Sequence, residues 1–178
     1  MSIDRRKEKA ELRAAALERR AAAARPGDMT AGLKRALAPW RGRRLAGYAA
    51  MRGEIDPMPL MERWDGPVCL PVVEEAGRPL SFRSWGPGEA LVPGAFGALV
   101  PEGGAAVEPE VLVVPLVAFT RDGDRLGYGG GFYDRTLEGL RARGTVHAVG
   151  FAWAAQEVDA LPLEPTDQRL DAIVTEAA

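Results

Sequence analysis

The sequence predicts a three-layer α/β/α sandwich on a mostly parallel sheet, and three observations carry that expectation. Short strand-forming runs alternate with helical segments, the pattern of a βαβ protein. The run Val111–Phe119 (VLVVPLVAF) is apolar without alternation, as a strand covered by helices on both faces must be. The 21 Gly and 14 Pro among 178 residues call for more turns and connections than a helical bundle uses. With 47% hydrophobic and 27% charged residues the composition is that of a globular chain, and the length suits one domain spanning residues 1–178.

Residues 5–24 (RRKEKAELRAAALERRAAAA) are strong helix formers throughout, and Arg25-Pro26-Gly27 stops them. The apolar face of this helix is thin, mainly Leu12, Ala16 and Leu17, which predicts a surface helix with Lys9 and Arg13 on one side. A second helix is predicted near 29–38, a buried strand over 45–51, a short helix over 57–64, and a strand over 68–73 that contains Cys69. Residues 79–83 read as a short strand. Residues 86–110, rich in Gly and Pro, read as an irregular loop long enough to suggest function. The apolar run 111–119 is a strand with a bend at Pro115, and 132–143 is a helix with Tyr133, Leu137 and Leu140 on one face. Residues 146–153 and 172–175 complete the sheet.

Composition excludes several chemistries. One cysteine and one histidine, His147, rule out an internal disulfide and a Cys/His zinc site, and leave oxygen-ligated magnesium open. Cys69 reads as a small buried hydrophobe and His147 as a core histidine, and no GxSxG elbow offers His147 a nucleophile. The segment from Met1 to Arg13 is charged and lacks the apolar centre of a secretory signal, and no stretch is long enough to span a bilayer, so the expected location is cytoplasmic. The net charge of −2 hides an asymmetry: residues 1–47 hold 13 Lys/Arg against 5 Asp/Glu. A basic start of this kind meets a polyphosphate ligand, nucleic acid or the acidic remainder of the chain. A pI of 5.6 and the lack of a recognition motif with interleaved aromatics argue against nucleic acid.

The chemistry concentrates in Gly123–Arg135 (GDRLGYGGGFYDR). Gly127, Gly129, Gly130 and Gly131 let a ligand approach the main chain, and the following helix N-terminus favours anions: together, a phosphate cradle. It is neither the Walker pattern, lacking Lys-Ser/Thr, nor GxGxxG, since Phe132 takes the last Gly position. Arg125 and Arg135 flank the loop as candidate phosphate partners. Asp134 is a candidate cation ligand that needs a second carboxylate, which Glu164 or Asp167 could supply; spacing alone does not choose between them. Of the four tryptophans, Trp85 is the best placed to face a planar ligand.

Five segments together resemble the 5-formyltetrahydrofolate cyclo-ligase family, also called 5,10-methenyltetrahydrofolate synthetase: KAELR (9–13), MRGEID (51–56), LPVV (70–73), AFTRDGDRLGYGGGFYDR (118–135) and the tail from Val149 to Glu176. The resemblance implies a single-domain α/β sandwich. It also implies an ATP- and magnesium-dependent closure of 5-formyltetrahydrofolate to 5,10-methenyltetrahydrofolate, ADP and phosphate through an N5-iminium phosphate. It implies ATP contacts from Lys9, Arg13 and Arg125, Leu126, Gly127, Tyr128, Gly129, Gly130, Gly131, Phe132 and Tyr133, with catalytic roles for Arg125 and Tyr133. Met51, Glu54 and Asp56, with Trp85 and the Tyr128–Phe132 loop, would line the substrate side, and Asp134 and Asp167 would hold magnesium. No nucleic-acid, membrane or obligate protein partner is implied. Val100 and Thr120 depart from the family pattern, as does the lack of a Lys before LPVV. Those departures keep open a non-catalytic folate- or nucleotide-binding relative, and the basic N-terminus an RNA-binding protein.

Overall fold

The computed structural model describes residues 3–178; Met1 and Ser2 of the charged N-terminal stretch lie outside them. The chain runs through α1 (Ile3–Ala23), α2 (Ala31–Leu37), β1 (Leu45–Ala46), α3 (Met58–Met61), β2 (Val68–Val72), β3 (Ser81–Trp85), β4 (Leu91–Pro93) and β5 (Leu99–Pro101). It continues through β6 (Val111–Val114), β7 (Ala118–Phe119), β8 (Arg125–Leu126), α4 (Phe132–Arg143), β9 (His147–Ala152) and β10 (Ala172–Thr175). The main sheet has the order β10-β9-β6-β1-β2-β3, parallel except for β3, which pairs antiparallel with β2 at the edge. Helices α2 and α3 cover one face over Leu33, Leu37, Leu60, Val111, Val149 and Phe151. Helix α4 covers the other through Leu137 and Leu140 against Leu112, Val114 and Ala148. This is the expected α/β/α sandwich.

Three elements differ from the sequence expectation, each for a local reason. The strand expected over 45–51 ends at Ala46; Gly47 makes one more bond to Cys69 O (3.2 Å), and α3 then packs where its side chain would be, since a Cβ there would overlap the Met61 sulfur. The run 111–119 splits at Pro115, which has no N–H for the ladder. β6 stops at Val114, and the chain resumes as β7, paired with β8 in a separate hairpin. The buried Gln156 amide donates to the carbonyls of Leu116 (2.8 Å) and Val117 (2.9 Å), satisfying backbone that the break leaves without a sheet partner. The stretch 86–110 is not wholly irregular. It holds the β4–β5 hairpin, whose strands are only three residues long and end in prolines, so no alternation is long enough to read.

The two strands at the centre set the position of the site. β1 and β6 are neighbours, yet the chain leaves β1 toward β2 and leaves β6 toward β9, on the opposite side. The loops beyond their carboxyl ends, 47–57 and 115–131, therefore diverge and open a crevice, the usual ligand position in open α/β sheets. Helix α1 lies over the hairpin beyond β6, with Ala16 packed among Val117, Ala118 and Leu126.

Candidate active site

Lys9, Arg13, Ala16 and Arg20 fall at i, i+4, i+7 and i+11, one stripe of α1, and that stripe faces the protein. Ala16 is the contact that seats the helix; the three cations around it are directed at three different segments. Lys9, 6% exposed, donates to Glu164 Oε2 (2.9 Å) and Asp167 Oδ2 (3.2 Å) in the loop after β9. Arg13 donates from Nε to the carbonyl of Gly127 (2.8 Å), and its guanidinium also lies against Gly129, whose φ of +102° is open to glycine and strained for other residues. Arg20, 1% exposed, donates to Arg52 O (2.8 Å) and to the Tyr128 hydroxyl (2.7 Å). The surface helix expected to carry Lys9 and Arg13 on one side does so, and that side, extended to Arg20, roofs the crevice.

The glycine loop joins β8 to α4 and is tied down at both ends. Arg125 at its start donates to Asp134 Oδ1 (2.6 Å) in the first turn of α4 and to the carbonyl of Gln168. The Gln168 N–H in turn donates to Asp134 Oδ1 (2.9 Å), so loop and C-terminal tail are closed around one buried guanidinium. At the far end Arg135 donates to Gly130 O and lies over the Phe132 ring, which meets Phe96 of the β4–β5 hairpin at 5.9 Å. Phe96 is 63% exposed. Between these ties Gly129, Gly130 and Tyr128 stand open.

Opposite the loop, residues 51–56 form a tight turn. The Glu54 carboxylate accepts the Met51 N–H (3.0 Å) through Oε2, Arg52 sits at φ 53°, and Oε1 accepts the Tyr128 hydroxyl (2.9 Å). Burial pushes the Glu54 carboxyl above its ordinary range, against the pull of the Met51 N–H, Tyr128, Arg20 and Arg52. Burial and the Glu54 charge push the Tyr128 phenol up to about 12 and the Tyr133 phenol higher still, so both are protonated donors rather than bases. Burial also lowers the Arg13 guanidinium, partly offset by Asp167 and Glu164.

The structure thus gathers Lys9, Arg13, Glu54, Arg125, the Gly127–Phe132 loop, Asp134 and Asp167 around one crevice, with Tyr133 half-buried against the core within electrostatic reach of Glu54 and Arg125. Asp56, exposed in the same turn, accepts the Met58 N–H through Oδ1 (2.9 Å) at the start of α3. Trp85 does not face the crevice as expected. It is 7% exposed in the core under β3 and its indole N–H donates to Glu89 O (3.2 Å), because it is one of the inward-facing positions of that edge strand. Sequence reasoning missed Arg20, although the stripe begun by Lys9 and Arg13 continues to it at helical spacing.

His147 stacks on Trp40 at 4.6 Å, away from these groups. Burial pushes the Cys69 thiol up to about 12, as befits a core residue. Of the three family departures, Val100 pairs with Val92 and packs over Gly94, and Thr120 closes the β7–β8 turn onto Asp124 by hydrogen bonds. A cavity of about 380 Å³ between α4 and the β3 edge, lined by Leu80, Phe82, Val107 and Leu140, reaches the site only through Arg135.

The family model for the 5-formyltetrahydrofolate cyclo-ligase family matches residues 5–176. The chain is 40% identical over 141 residues to the 5-formyltetrahydrofolate cyclo-ligase of Escherichia coli (strain K12), covering 74% of this chain and 76% of that protein. It is 32% identical over 186 residues to the 5-formyltetrahydrofolate cyclo-ligase of Mycolicibacterium smegmatis, covering 94% and 93%. Among solved structures, the Aquifex aeolicus 5,10-methenyltetrahydrofolate synthetase superposes with a TM-score of 0.73 at 30% identity, over 96% of this chain and 90% of that one. A 5,10-methenyltetrahydrofolate synthetase from Mycoplasma pneumoniae shares the fold, with a TM-score of 0.67 at 22% identity, over 93% and 96% of the two chains.

Proposed function

The chain belongs to the 5-formyltetrahydrofolate cyclo-ligase family, and on that premise we propose that the crevice under α1 performs the ATP-driven ring closure by placing and neutralising charge. As a 5-formyltetrahydrofolate cyclo-ligase, a ligase of folate metabolism, it uses ATP as co-substrate. In the proposed course the formyl oxygen takes the γ-phosphoryl group and ADP leaves. N10 then attacks the activated formyl carbon and loses its proton, and the formyl oxygen departs with phosphate, giving 5,10-methenyltetrahydrofolate. Neither step needs a strong protein nucleophile; both need alignment and offset negative charge.

The observation that carries this reading is the convergence of one helix's cations on the glycine loop and the Glu54 turn, at the point where the sheet opens. The backbone N–H groups of 127–131 cradle the phosphates, Lys9 and Arg13 offset their charge, and Arg125 fixes the loop that presents them. Met51, Glu54 and Tyr128 hold the folate on the other side. Tyr133, protonated, is a hydrogen-bond donor.

Magnesium suits the carboxylates present. Asp134 takes its hydrogen bonds on Oδ1 and Asp167 on Oδ2, both are hard oxygen donors, and the cation commonly binds one or two carboxylates together with substrate phosphates. Among the described residues no cluster of three metal-ligating side chains occurs. Asp134 and Asp167 would hold it, and bound there it would offset charge developing on the transferred phosphoryl group.

The test is absorbance at the methenyl-folate band after mixing the protein with 5-formyltetrahydrofolate, ATP and magnesium, with controls lacking each. A rise that needs all three is the expected result. Binding of both ligands with no rise would overturn turnover in favour of a binding protein. No helix among the described residues is long and apolar enough to cross a membrane.

A further inference from the structure

We propose that Arg20 is a positioning residue for the folate side of the crevice, acting through the Tyr128 hydroxyl and the Glu54 carboxylate. The proposal rests on the reading above and extends it to a residue that none of the sequence motifs contains.

Arg20 is the most deeply buried of the three α1 cations, at 1% exposure. A guanidinium taken out of water is costly unless its donors are matched, and the usual solution is a bidentate carboxylate. Here the nearest carboxylate, Glu54, stands with Oε1 3.9 Å from Nη1, beyond hydrogen-bond reach. Both hydrogen bonds that Arg20 makes use Nη2, and Nε and Nη1 have no hydrogen-bond partner. Such an arrangement is poor as a structural ion pair. It makes sense as a cation held ready beside groups that meet a ligand.

Those groups form a chain with a fixed sense. Arg20 donates to the Tyr128 oxygen, and Tyr128 donates its proton to Glu54 Oε1. Arg20 sets that sense, because a guanidinium only donates, and a Glu54 carboxylate is the stronger acceptor at its end. Arg20 also donates to Arg52 O, whose residue occupies the left-handed region at φ 53°, so the same guanidinium holds the strained turn that carries Glu54. The Tyr128 ring lies 5.5 Å from the Arg20 guanidinium carbon and 5.7 Å from that of Arg52, which orients it between two cations. Glycine loop and folate-side turn thus meet on one side chain of α1.

The groups facing Glu54 are Arg20 from α1, Arg52 and the Met51 N–H from its own turn, Tyr128 from the glycine loop, Tyr48 after β1 and Tyr133 from α4. Burial already raises the carboxyl, and Arg20 is one of the charges that oppose the rise. Without Arg20 the carboxyl titrates at higher pH. The acid limb of the folate dependence must then move up the pH scale, which a purely structural role would not produce.

The experiment compares Arg20→Met, close in length and uncharged, and Arg20→Lys with wild type. It measures kcat, KM for 5-formyltetrahydrofolate and KM for ATP across pH, and the affinity for each ligand by calorimetry. Loss of a charge-assisted hydrogen bond predicts a roughly ten- to hundredfold fall in kcat/KM for the folate in Arg20→Met. KM for ATP should stay within about twofold, and the acid limb should shift upward. Arg20→Lys restores the limb, because its charge is kept, and leaves the folate KM raised, because the shorter lysine chain does not carry its ammonium to the Nη2 position from which both bonds are made.

An unmoved acid limb in folded Arg20→Met, or equal losses for folate and ATP, overturns the proposal. If Arg20→Met fails to fold, the lysine variant decides: wild-type folate affinity there overturns the proposal. Wild-type protein that binds folate without turning it over sinks the reaction and leaves this inference to be judged on the affinities. Wild-type protein that does not bind the folate overturns both.

Discussion

Glu54 and Cys69 are both buried and both pushed up by burial, but Glu54 has Arg20, Arg52, Tyr128 and the Met51 N–H opposing the rise where Cys69 has only the distant pull of Arg44. Cys69 sits in β2 with its thiol against Leu45 O and no base beside it, so burial keeps it protonated. Native protein at pH 8 should resist a thiol reagent over hours and react once unfolded in urea; rapid labelling of folded protein would contradict this. Asp134 is equally dependent on context. Replacing it with Ala strands the buried Arg125 charge, so Asp134→Asn, which keeps an oxygen for Arg125, separates metal binding from folding more cleanly. Asp134→Asn should lower turnover at limiting magnesium by tenfold or more, as a rough estimate from the loss of an ionised ligand, with recovery as magnesium rises. A wild-type magnesium dependence would remove Asp134 from the metal site. At Gly130 a Cβ would come 2.6 Å from the Phe132 ring. Gly130→Val should therefore weaken nucleotide binding in calorimetry before the melting temperature moves appreciably; unchanged affinity would make the loop a mere connection.

Helix α1 shows how an element can be assigned correctly and its role still be underread. Its length follows from propensity and its stop from Arg25-Pro26-Gly27, but propensity says nothing about which charges face inward. Lys9 does so because Glu164 and Asp167 wait for it. Its ammonium holds the Glu164 carboxyl below the ordinary range. Lys9→Met should remove that match, leave two carboxylates facing each other, and weaken ATP binding by roughly tenfold, the loss of one charged contact. Unaltered ATP affinity would confine Lys9 to a structural tie.

The start of α2 gives a second test at this scale. Asp28 accepts the Thr30 N–H and hydroxyl and pairs with Arg63, which together hold its carboxyl at about 2. A depressed carboxyl adds stability that is full above its unfolded value near 4 and is lost as pH falls through about 2. Asp28→Ala should thus melt earlier at pH 7, by at most about 1 kcal/mol because the pair is open to solvent, and the gap should close below pH 3. A gap unchanged from pH 7 to pH 2 would refute the account.

Over the whole molecule, the site exists because chain order and space disagree at β1 and β6. Loops separated by about sixty residues meet there, and α1 closes over them from the far end of the sequence. Ligands that fill such a crevice stabilise the fold by mass action. ATP with magnesium at a hundredfold excess over its dissociation constant should add about 2.7 kcal/mol to unfolding, read as a rise in melting temperature that Lys9→Met reduces. No rise would mean that the roofed crevice is not where the nucleotide binds.

By itself the sequence determined the strands that are apolar on both faces, the helices with clear stops, the glycine loop with its flanking Arg125 and Asp134, and through its motifs the family. These are legible because they are local: period, breaker residues and a short contiguous loop need no partner to be recognised. The three-residue strands of β4–β5 and the split at Pro115 were blurred, since tertiary pairing rather than propensity makes such short strands. Tertiary structure alone decided that Trp85 belongs to the core, that Asp56 starts α3, and that Arg20 lies buried between Tyr128 and Glu54. Those outcomes depend on which distant residue arrives opposite each side chain, and a buried charge shows itself only when its desolvation and its partners are seen together.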